Sequence, residues 1–169
     1  MRIAVTGASG HIGTNLCRRL VKEGHEVRGQ YQTFSRSLNE SELQIVEGDI
    51  RDRSFARSLV RDAEVVFHLA ARISISGDPD GGVRETNVDG TRNVAEACLR
   101  AGVRRLVHFS SIHAFEQHPH DQPLDERRAR VGENAVVYDR SKAEGERVVR
   151  ELVLQGLDAV ILNPTAVVG

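Results

Sequence analysis

The sequence predicts an α/β fold in which helices cover both faces of a doubly wound, mostly parallel sheet. Short apolar runs of strand length alternate with longer amphipathic runs of helical length along the 169 residues. In addition, the first turn from a strand into a helix is rich in glycine. Strands that alternate with helices are joined by right-handed crossovers, so that neighbouring strands run parallel. A chain of this length suffices for one domain with its own hydrophobic core.

The first half of the chain contains four of the predicted strands. RIAVTG is a buried apolar run, and the helix from about Gly10 to Glu23 repeats apolar residues at helical spacing until Gly24 ends it. A second, short helix, RSFARSLVRD, precedes the fourth strand. The other strands in this half are HEVRGQY, LQIVEGD and AEVVFHLAA.

The second half completes the sheet with two strands, RRLVHFSS and LDAVILN. A long amphipathic helix from about Gly82 to Ala101 precedes the first of them. The helix VVYDRSKAEGERVVRELVLQ, closed by Gly156, precedes the second. Residues 74–81 and 113–133 are expected to be loops, because their composition is typical of turns rather than of periodic structure.

Composition excludes several classes of partner. The 23 basic and 24 acidic side chains nearly cancel, so no basic field indicates nucleic acid or an anionic membrane. No apolar run approaches the roughly 20 residues that span a bilayer, and the N-terminus lacks the pattern of a signal peptide. Cys17 and Cys98 show no CxxC spacing and are expected to be small buried hydrophobes. We therefore expect a cytoplasmic protein with a small-molecule substrate.

The glycine cluster at the first strand–helix turn predicts a nucleotide site. Glycine inside a helix or strand costs roughly 0.5–1 kcal/mol relative to alanine, so Gly7, Gly10 and Gly13 need a reason. A helix N-terminus offers free backbone N–H groups and about half a positive charge, which suits a phosphate. Gly7 would permit a sharp turn, Gly10 the approach of a pyrophosphate, and Gly13 close packing of helix on strand. A dinucleotide is therefore favoured over a turn without a ligand.

This TGxxGxxG turn resembles that of the short-chain dehydrogenase/reductase superfamily, and specifically its extended branch, the NAD-dependent epimerase/dehydratase family. The resemblance covers the entire chain, since FHLAA, NVDGTRNV and LNPTAVVG are also similar to family signatures. SSIHAF and LNPTAVVG look more like the dihydroflavonol-reductase-like members than like typical sugar epimerases. The resemblance implies a Rossmann fold over residues 1–169 with strand order 3-2-1-4-5-6.

The resemblance also implies a nicotinamide dinucleotide cofactor. Asp49 and Ile50 look like the family's adenine contact, and Asn87 is divided evenly between a cofactor role and support of the local backbone. The residues assigned to the cofactor are Gly7, Ser9, Gly10, His11, Ile12, Gly13, Asp49, Ile50, Leu69, Ala70, Ala71, Asn87, Tyr138, Lys142 and Pro164.

The choice between NAD and NADP depends on the end of the second strand. An acidic residue is expected there to hold the ribose hydroxyls of NAD, but alignment with the family puts Tyr31 at that position. No Asp or Glu occurs from Val27 to Asn39, and Arg36 could meet a 2′-phosphate. We therefore lean slightly to NADP, with NAD as the alternative.

The segment YDRSK places Tyr138 and Lys142 on one face of a helix. A tyrosine hydroxyl has a pKa near 10, and a nearby ammonium together with oxidised nicotinamide would lower it. The family uses such a pair for proton transfer, and its pattern puts Ser111 in the third catalytic position and leaves Ser110 a structural role. The implied reaction is hydride transfer between a carbinol carbon and C4 of the nicotinamide. An epimerase, a dehydratase and a reductase all remain open.

Several features depart from the family pattern. His113, His118 and His120 match no standard metal spacing, so we expect solvated or substrate-facing histidines and no metal site. Extended members continue after the sixth strand with a substrate-binding portion, so we expect a fragment of a longer enzyme, or a wall supplied by another chain. The alternative function is a non-catalytic dinucleotide-binding module that senses redox state or binds a partner protein. A homodimer is expected by analogy with relatives.

Overall fold

The computed structural model describes residues 1–33, 43–74, 77–119 and 121–168. Its six strands form one sheet in the order β3-β2-β1-β4-β5-β6, and each adjacent pair is parallel. The predicted doubly wound sheet and its strand order are therefore confirmed. The strands are β1 (Arg2–Thr6), β2 (Glu26–Tyr31), β3 (Leu43–Glu47), β4 (Val65–His68), β5 (Arg105–Phe109) and β6 (Ala159–Leu162).

Helices connect these strands across both faces of the sheet. They are α1 (His11–Lys22), α2 (Arg53–Val60), α3 (Gly82–Arg84), α4 (Thr91–Ala101) and α5 (Val137–Val153). The predicted long helix from Gly82 to Ala101 is present, but it is not α-helical throughout. Residues Glu85–Gly90, between α3 and α4, form a π-helical turn, a local widening that is common at functional sites.

The described residues of the two predicted loops form no α-helix and no strand of the sheet, and the second loop has local order. Ile112–Ala114 forms a turn of 3₁₀-helix, and Phe115 makes an isolated antiparallel bridge with Arg130. The bridge therefore holds the two ends of this loop together.

Each face of the sheet carries its own apolar core. On one face, Ile3 and Val5 of β1 pack with α1 residues that include Cys17. On the other face, Ala4 packs with residues from α2, α4 and α5, among them Cys98. Burial raises the pKa of Cys17 to about 11 and that of Cys98 to about 12, so both thiols are small core side chains as predicted. None of the helices in the described ranges combines the length and apolar character needed to cross a membrane.

We predict that Leu106→Ala lowers the free energy of unfolding by about 2–5 kcal/mol, because it leaves a cavity in the second core. Leu106 lies in β5 and is fully buried, whereas Leu154, just after α5, is 90 % exposed. Leu154→Ala is therefore the matched control and should change stability by less than about 0.5 kcal/mol. Urea denaturation followed by circular dichroism measures both. Equal effects of the two substitutions would contradict this account of the core.

Candidate active site

The glycine turn between β1 and α1 is tight for two steric reasons. Gly7 has φ +66°, and a Cβ there would lie 2.7 Å from the backbone nitrogen of Ala70 on the neighbouring strand end. A Cβ on Gly13 would overlap the carbonyl oxygen of Gly7. Gly10 is less constrained by the protein itself, since its Cβ would lie 3.3 Å from the same oxygen. The space above Gly10, at the N-terminus of α1, is therefore available to a ligand, as the motif predicts.

A cleft of about 340 Å³ follows this turn along the carboxyl ends of the strands. It brings together most of the residues predicted at the adenosine and pyrophosphate end: Gly7, Ser9, Gly10, Asp49, Ile50, Leu69, Ala70 and Ala71. The other predicted cofactor residues do not line it: His11, Ile12, Gly13, Asn87, Tyr138, Lys142 and Pro164. Arg51 and Arg72, which the sequence analysis did not single out, are also in its wall.

The ribose end of the cleft is lined by amides. Tyr31, aligned with the family's acidic position, turns to β3, where its hydroxyl donates to Glu47 at 3.3 Å. Gln30 is buried instead, accepts from the backbone N–H of Gly7 at 3.0 Å and donates to the carbonyl of Gly48 at 2.6 Å. Gln32, next along the wall, donates to Asp49 at 3.0 Å. Arg36 lies outside the described residues, so its contact with a 2′-phosphate stays a prediction.

Asp49 is a charged acceptor in the wall of the cleft. Hydrogen bonds from Arg51 hold its pKa below the usual range, with the nearest nitrogen–oxygen pair 2.6 Å apart. Arg51 also pairs with Glu85 at 2.8 Å, which connects the end of β3 to the π-helical turn. The carboxylate is therefore fixed in place.

Asn87 holds the backbone of Arg72, which lies in the wall of the cleft, and contacts α5. It is buried, accepts from the N–H of Arg72 at 2.8 Å, and donates to the carbonyl of Arg72 at 2.9 Å and to the Ser141 hydroxyl at 2.8 Å. Gly145 lets α5 approach the π-helical turn closely, because a Cβ there would lie 2.9 Å from the Asn87 carbonyl oxygen. Of the two alternatives left open for Asn87, its contacts fit support of the local backbone.

Ser111 and Tyr138 meet where β5 ends and α5 begins. The Ser111 hydroxyl lies beside the Tyr138 side chain, where it lowers the pKa of the phenol, and accepts from the N–H of His113 at 3.2 Å. Burial raises the pKa of Tyr138, the Ser111 contact lowers it, and the charge of Asp139 raises it, for a net increase. The expected lowering by Lys142 together with an oxidised nicotinamide stays a prediction. The sequence pattern showed the neighbouring charges but not the burial of the phenol.

Lys142 follows one helical turn after Tyr138, with its side chain 5 % exposed. Its ammonium donates to the carbonyl of Phe109 at 2.8 Å rather than to the phenol. Burial lowers the pKa of Lys142 to about 8, and the charge of Glu146 opposes that shift. The ammonium of Lys142 is therefore a buried cation, and the charge of Glu146 compensates only part of the cost of its desolvation.

The profile of the NAD dependent epimerase/dehydratase family matches residues 3–169. The chain belongs to this family. Sterol demethylase protein B of Methylococcus capsulatus is 36% identical over 171 residues, which cover 100% of this chain and 52% of that protein. A putative dihydroflavonol 4-reductase of Synechocystis is 33% identical over 168 residues, with 98% and 49% covered. The chain thus spans about half the length of these curated relatives.

A solved structure from the same family is similar over the whole sheet. Bordetella bronchiseptica WbmG, crystallised with NAD and UDP, matches with a TM-score of 0.82 and 27% sequence identity. The match covers 96% of this chain and 52% of that one. The fold of this chain is therefore shared with a protein crystallised with NAD.

In this family member, a buried carboxylate that the sequence analysis missed joins the parts of the site. Glu146, 1 % exposed, accepts from Arg130 at 2.7 Å and from the Asn163 side chain at 2.5 Å. Asn163 also donates to the backbone carbonyl of Ser111 at 3.0 Å. Burial tends to raise the pKa of Glu146, but hydrogen bonds from Asn163 and Arg130 outweigh it and the pKa is lowered. The only sequence signal was an acidic residue four positions after Lys142, on the same helix face.

Two neutral histidines, His68 of β4 and His108 of β5, lie near Lys142. The Thr91 hydroxyl donates its proton to the carbonyl of Asn87. It must therefore accept from the protonated Nε2 of His68 at 2.9 Å. The unprotonated Nδ1 of His68 then accepts from the Thr6 hydroxyl at 2.7 Å. Burial lowers the pKa of His68 to about 3. His108 stacks on His68, with 5.3 Å between ring centroids, and burial holds its pKa well below the usual range. Lys142 therefore faces uncharged imidazoles.

The histidines of the predicted loop do not form a metal site in the described ranges. There, no group of three or more His, Cys, Asp or Glu side chains is arranged to hold a metal ion. His113 instead lies 3.3 Å from a carboxylate oxygen of Asp139 and edge-on to the ring of Tyr138. His120 lies outside the described residues. Whether His113 is solvated or faces a substrate stays a prediction.

We predict that buried Lys142 makes stability depend on alkaline pH. Its pKa is about 8 in the folded chain and 10.5 as a free side chain. Between these values the unfolded chain binds more protons, so stability rises with pH. Relative to Lys142→Met, the wild type should gain up to about 3 kcal/mol between pH 8 and pH 10.5. Denaturant titrations of both proteins across this range measure the difference, and a pH-independent difference would contradict the assignment.

Proposed function

We propose that this chain is the dinucleotide-binding part of an NAD(P)-dependent oxidoreductase, epimerase or dehydratase. It would transfer hydride at a hydroxyl or carbonyl carbon of a nucleotide sugar or related small molecule. The observation that carries the proposal is the contact of Ser111 with Tyr138 at the edge of the sheet that carries the glycine turn, with Lys142 one helical turn behind. Hydroxyl, phenol and ammonium are the groups that carbonyl–alcohol interconversion requires.

The residues present fit a dinucleotide. Gly7 and Gly13 keep the β1–α1 turn closed, and Gly10 leaves the helix N-terminus open to a diphosphate. Asp49, held as a carboxylate by Arg51, can accept from an adenine amino group. When bound, the nicotinamide supplies a hydride acceptor or donor. The NAD present in WbmG supports a nicotinamide dinucleotide for this chain.

Each catalytic side chain has a distinct role in the proposed reaction. Ser111, fixed through its backbone by Asn163, donates a hydrogen bond to the substrate oxygen. Tyr138 accepts the hydroxyl proton during oxidation and returns it during reduction. Lys142 would supply positive charge one helical turn behind the phenol, and together with an oxidised nicotinamide it would favour the phenolate against the rise that burial causes in the pKa of Tyr138. The pair thus provides the charge balance that a phenolate needs in a buried site.

The substrate class, the assembly and the setting are parts of this proposal. The UDP bound to WbmG and the dihydroflavonol 4-reductase relative support a small hydroxylated or carbonyl substrate. Residues 1–169 would be the cofactor-binding domain, and further residues would complete the substrate pocket. A cytoplasmic homodimer remains a prediction.

We predict that Tyr138→Phe lowers hydride transfer by at least about 100-fold, since positioned acid–base groups contribute about 10²–10⁴-fold. The affinity for NAD should change little. Tyr31→Phe is the matched control, because these are the two tyrosines of the sequence and Tyr31 points to β3. NAD binding is followed by fluorescence titration, and hydride transfer by absorbance at 340 nm with UDP-glucose and dihydroquercetin as probes. In a protein extended to the full length of its relatives, cofactor binding without Tyr138-dependent transfer would favour the non-catalytic module.

We predict that Arg36→Ala weakens the binding of NADP by about tenfold and leaves NAD binding unchanged. A charged hydrogen bond to a 2′-phosphate contributes about 1.5–3 kcal/mol, and NAD has no such phosphate. Arg57→Ala, on the exposed surface of α2, is the matched control. Titration of each variant with both cofactors measures the ratio. An equal loss for NAD and NADP would refute the preference for NADP.

A further inference from the structure

The segment that carries the predicted adenine contact belongs to neither a strand nor a helix. Residues 48–52 join β3 to α2, and Asp49 and Ile50 lie within them. The backbone N–H of Arg51 donates to the Asp49 carboxylate at 2.9 Å, which makes a local turn. The carbonyls of Ile50 and Arg51 lie beyond the strand ladder, so they need partners from another element.

Asn93 of α4 supplies these partners. Its side-chain nitrogen donates to the carbonyl of Ile50 at 3.1 Å and to that of Arg51 at 2.8 Å. Its side-chain oxygen accepts from Nε of Arg53 at 3.2 Å, so both N–H groups and the oxygen of the amide are engaged. Asn93 is 8 % exposed, and a buried carbonyl that loses its donor keeps the full cost of desolvation. One side chain therefore fixes two consecutive carbonyls of the segment.

Gly90, one turn earlier on the same helix face, receives the side chain of Ile50. A Cβ on Gly90 would lie 2.7 Å from Cδ1 of Ile50, so this methyl group packs directly on the backbone of the helix. Ile50 is 3 % exposed as a result of this and its other contacts. The backbone and the side chain of Ile50 are thus both held by one turn of helix, through Asn93 and Gly90.

The fixed segment determines where the carboxylate of Asp49 lies in the cleft. Asp49 and Ile50 are adjacent in the chain, and both line the cleft that begins at the glycine turn. Gln32 donates to the Asp49 carboxylate at 3.0 Å from the other side. A carboxylate in a fixed position suits the amino group at C6 of adenine, which is a donor. An oxo group at C6 would instead place a second acceptor against it.

We propose that Asn93, assisted by Gly90, is a positioning residue that makes the cleft select adenine over a 6-oxopurine. The inference rests on the proposed function, because it concerns the adenosine end of the dinucleotide. Asn93 acts through the backbone carbonyls that it holds and does not itself contact the base. If its hydrogen bonds only stabilised the fold, their loss would leave the choice of base unchanged.

The test compares NAD with nicotinamide hypoxanthine dinucleotide, in which an oxo group replaces the amino group at C6, by isothermal titration calorimetry. The wild type should bind NAD at least about tenfold more tightly, since a hydrogen bond to a charged group distinguishes the two. Asn93→Leu keeps the size of the side chain but removes its donors, and it should reduce this ratio to about threefold or less. The affinity for nicotinamide hypoxanthine dinucleotide should fall much less than that for NAD.

Two further variants support the comparison. Gly90→Ala makes the side chain of Ile50 shift, so it should reduce the ratio in the same direction. Asn15→Leu is the matched control, because Asn15 is an exposed asparagine of α1 whose amide also donates to a backbone carbonyl. It should leave the ratio at the value of the wild type. Urea denaturation shows whether each variant is folded.

An unchanged ratio in folded Asn93→Leu would overturn the inference. Equal losses of affinity for the two dinucleotides would indicate a structural role and would also overturn it. If Asn93→Leu does not fold, the ratio in Gly90→Ala decides in the same way. A wild type that binds both dinucleotides equally would overturn the inference and leave the proposed function in place. A wild type that binds neither would count against the proposed function and, with it, this inference.

Discussion

Close backbone packing at two glycines is the constraint on which the carboxyl edge of the sheet depends. Gly7 allows the end of β1 to contact Ala70 after β4, and Gly13 allows α1 to rest on the turn itself. Any side chain at either position would separate the strand from its helix or from the neighbouring strand. Because these contacts are made within the protein, the turn is closed on two sides and open only above Gly10. The shape of the nucleotide cleft follows from this packing.

A second constraint acts on the other half of the site. Glu146 is a buried carboxylate with Arg130 and Asn163 as partners, and Asn163 also holds the backbone of Ser111. A buried ion pair contributes little net stability, because desolvation offsets much of the attraction. Its value here is geometric. It joins the end of β5, the following loop and the exit of β6 to the helix that carries Tyr138.

The sequence contained enough information for the fold and for one end of the site. The sequence of elements and the glycine turn follow from periodicity and from backbone rules that act over a few residues, whereas the strand order came from the family resemblance. The contacts that were missed join distant parts of the chain: Ser111 with Asn163, and Arg130 with Glu146. Local patterns carry no signal for such pairs. The burial of the Tyr138 phenol, which raises its pKa, was missed for a related reason, since burial depends on the whole fold.

The stacked pair of His68 and His108 limits the tolerance of the fold to acid. A free imidazole takes up a proton near pH 6.5, whereas folded His68 does so only near pH 3. Across that interval the unfolded chain binds the extra proton, so each unit of acidification costs roughly 1.4 kcal/mol at this one position. His108 acts in the same direction. The two uncharged imidazoles near Lys142 therefore lower the stability of the fold at mildly acidic pH.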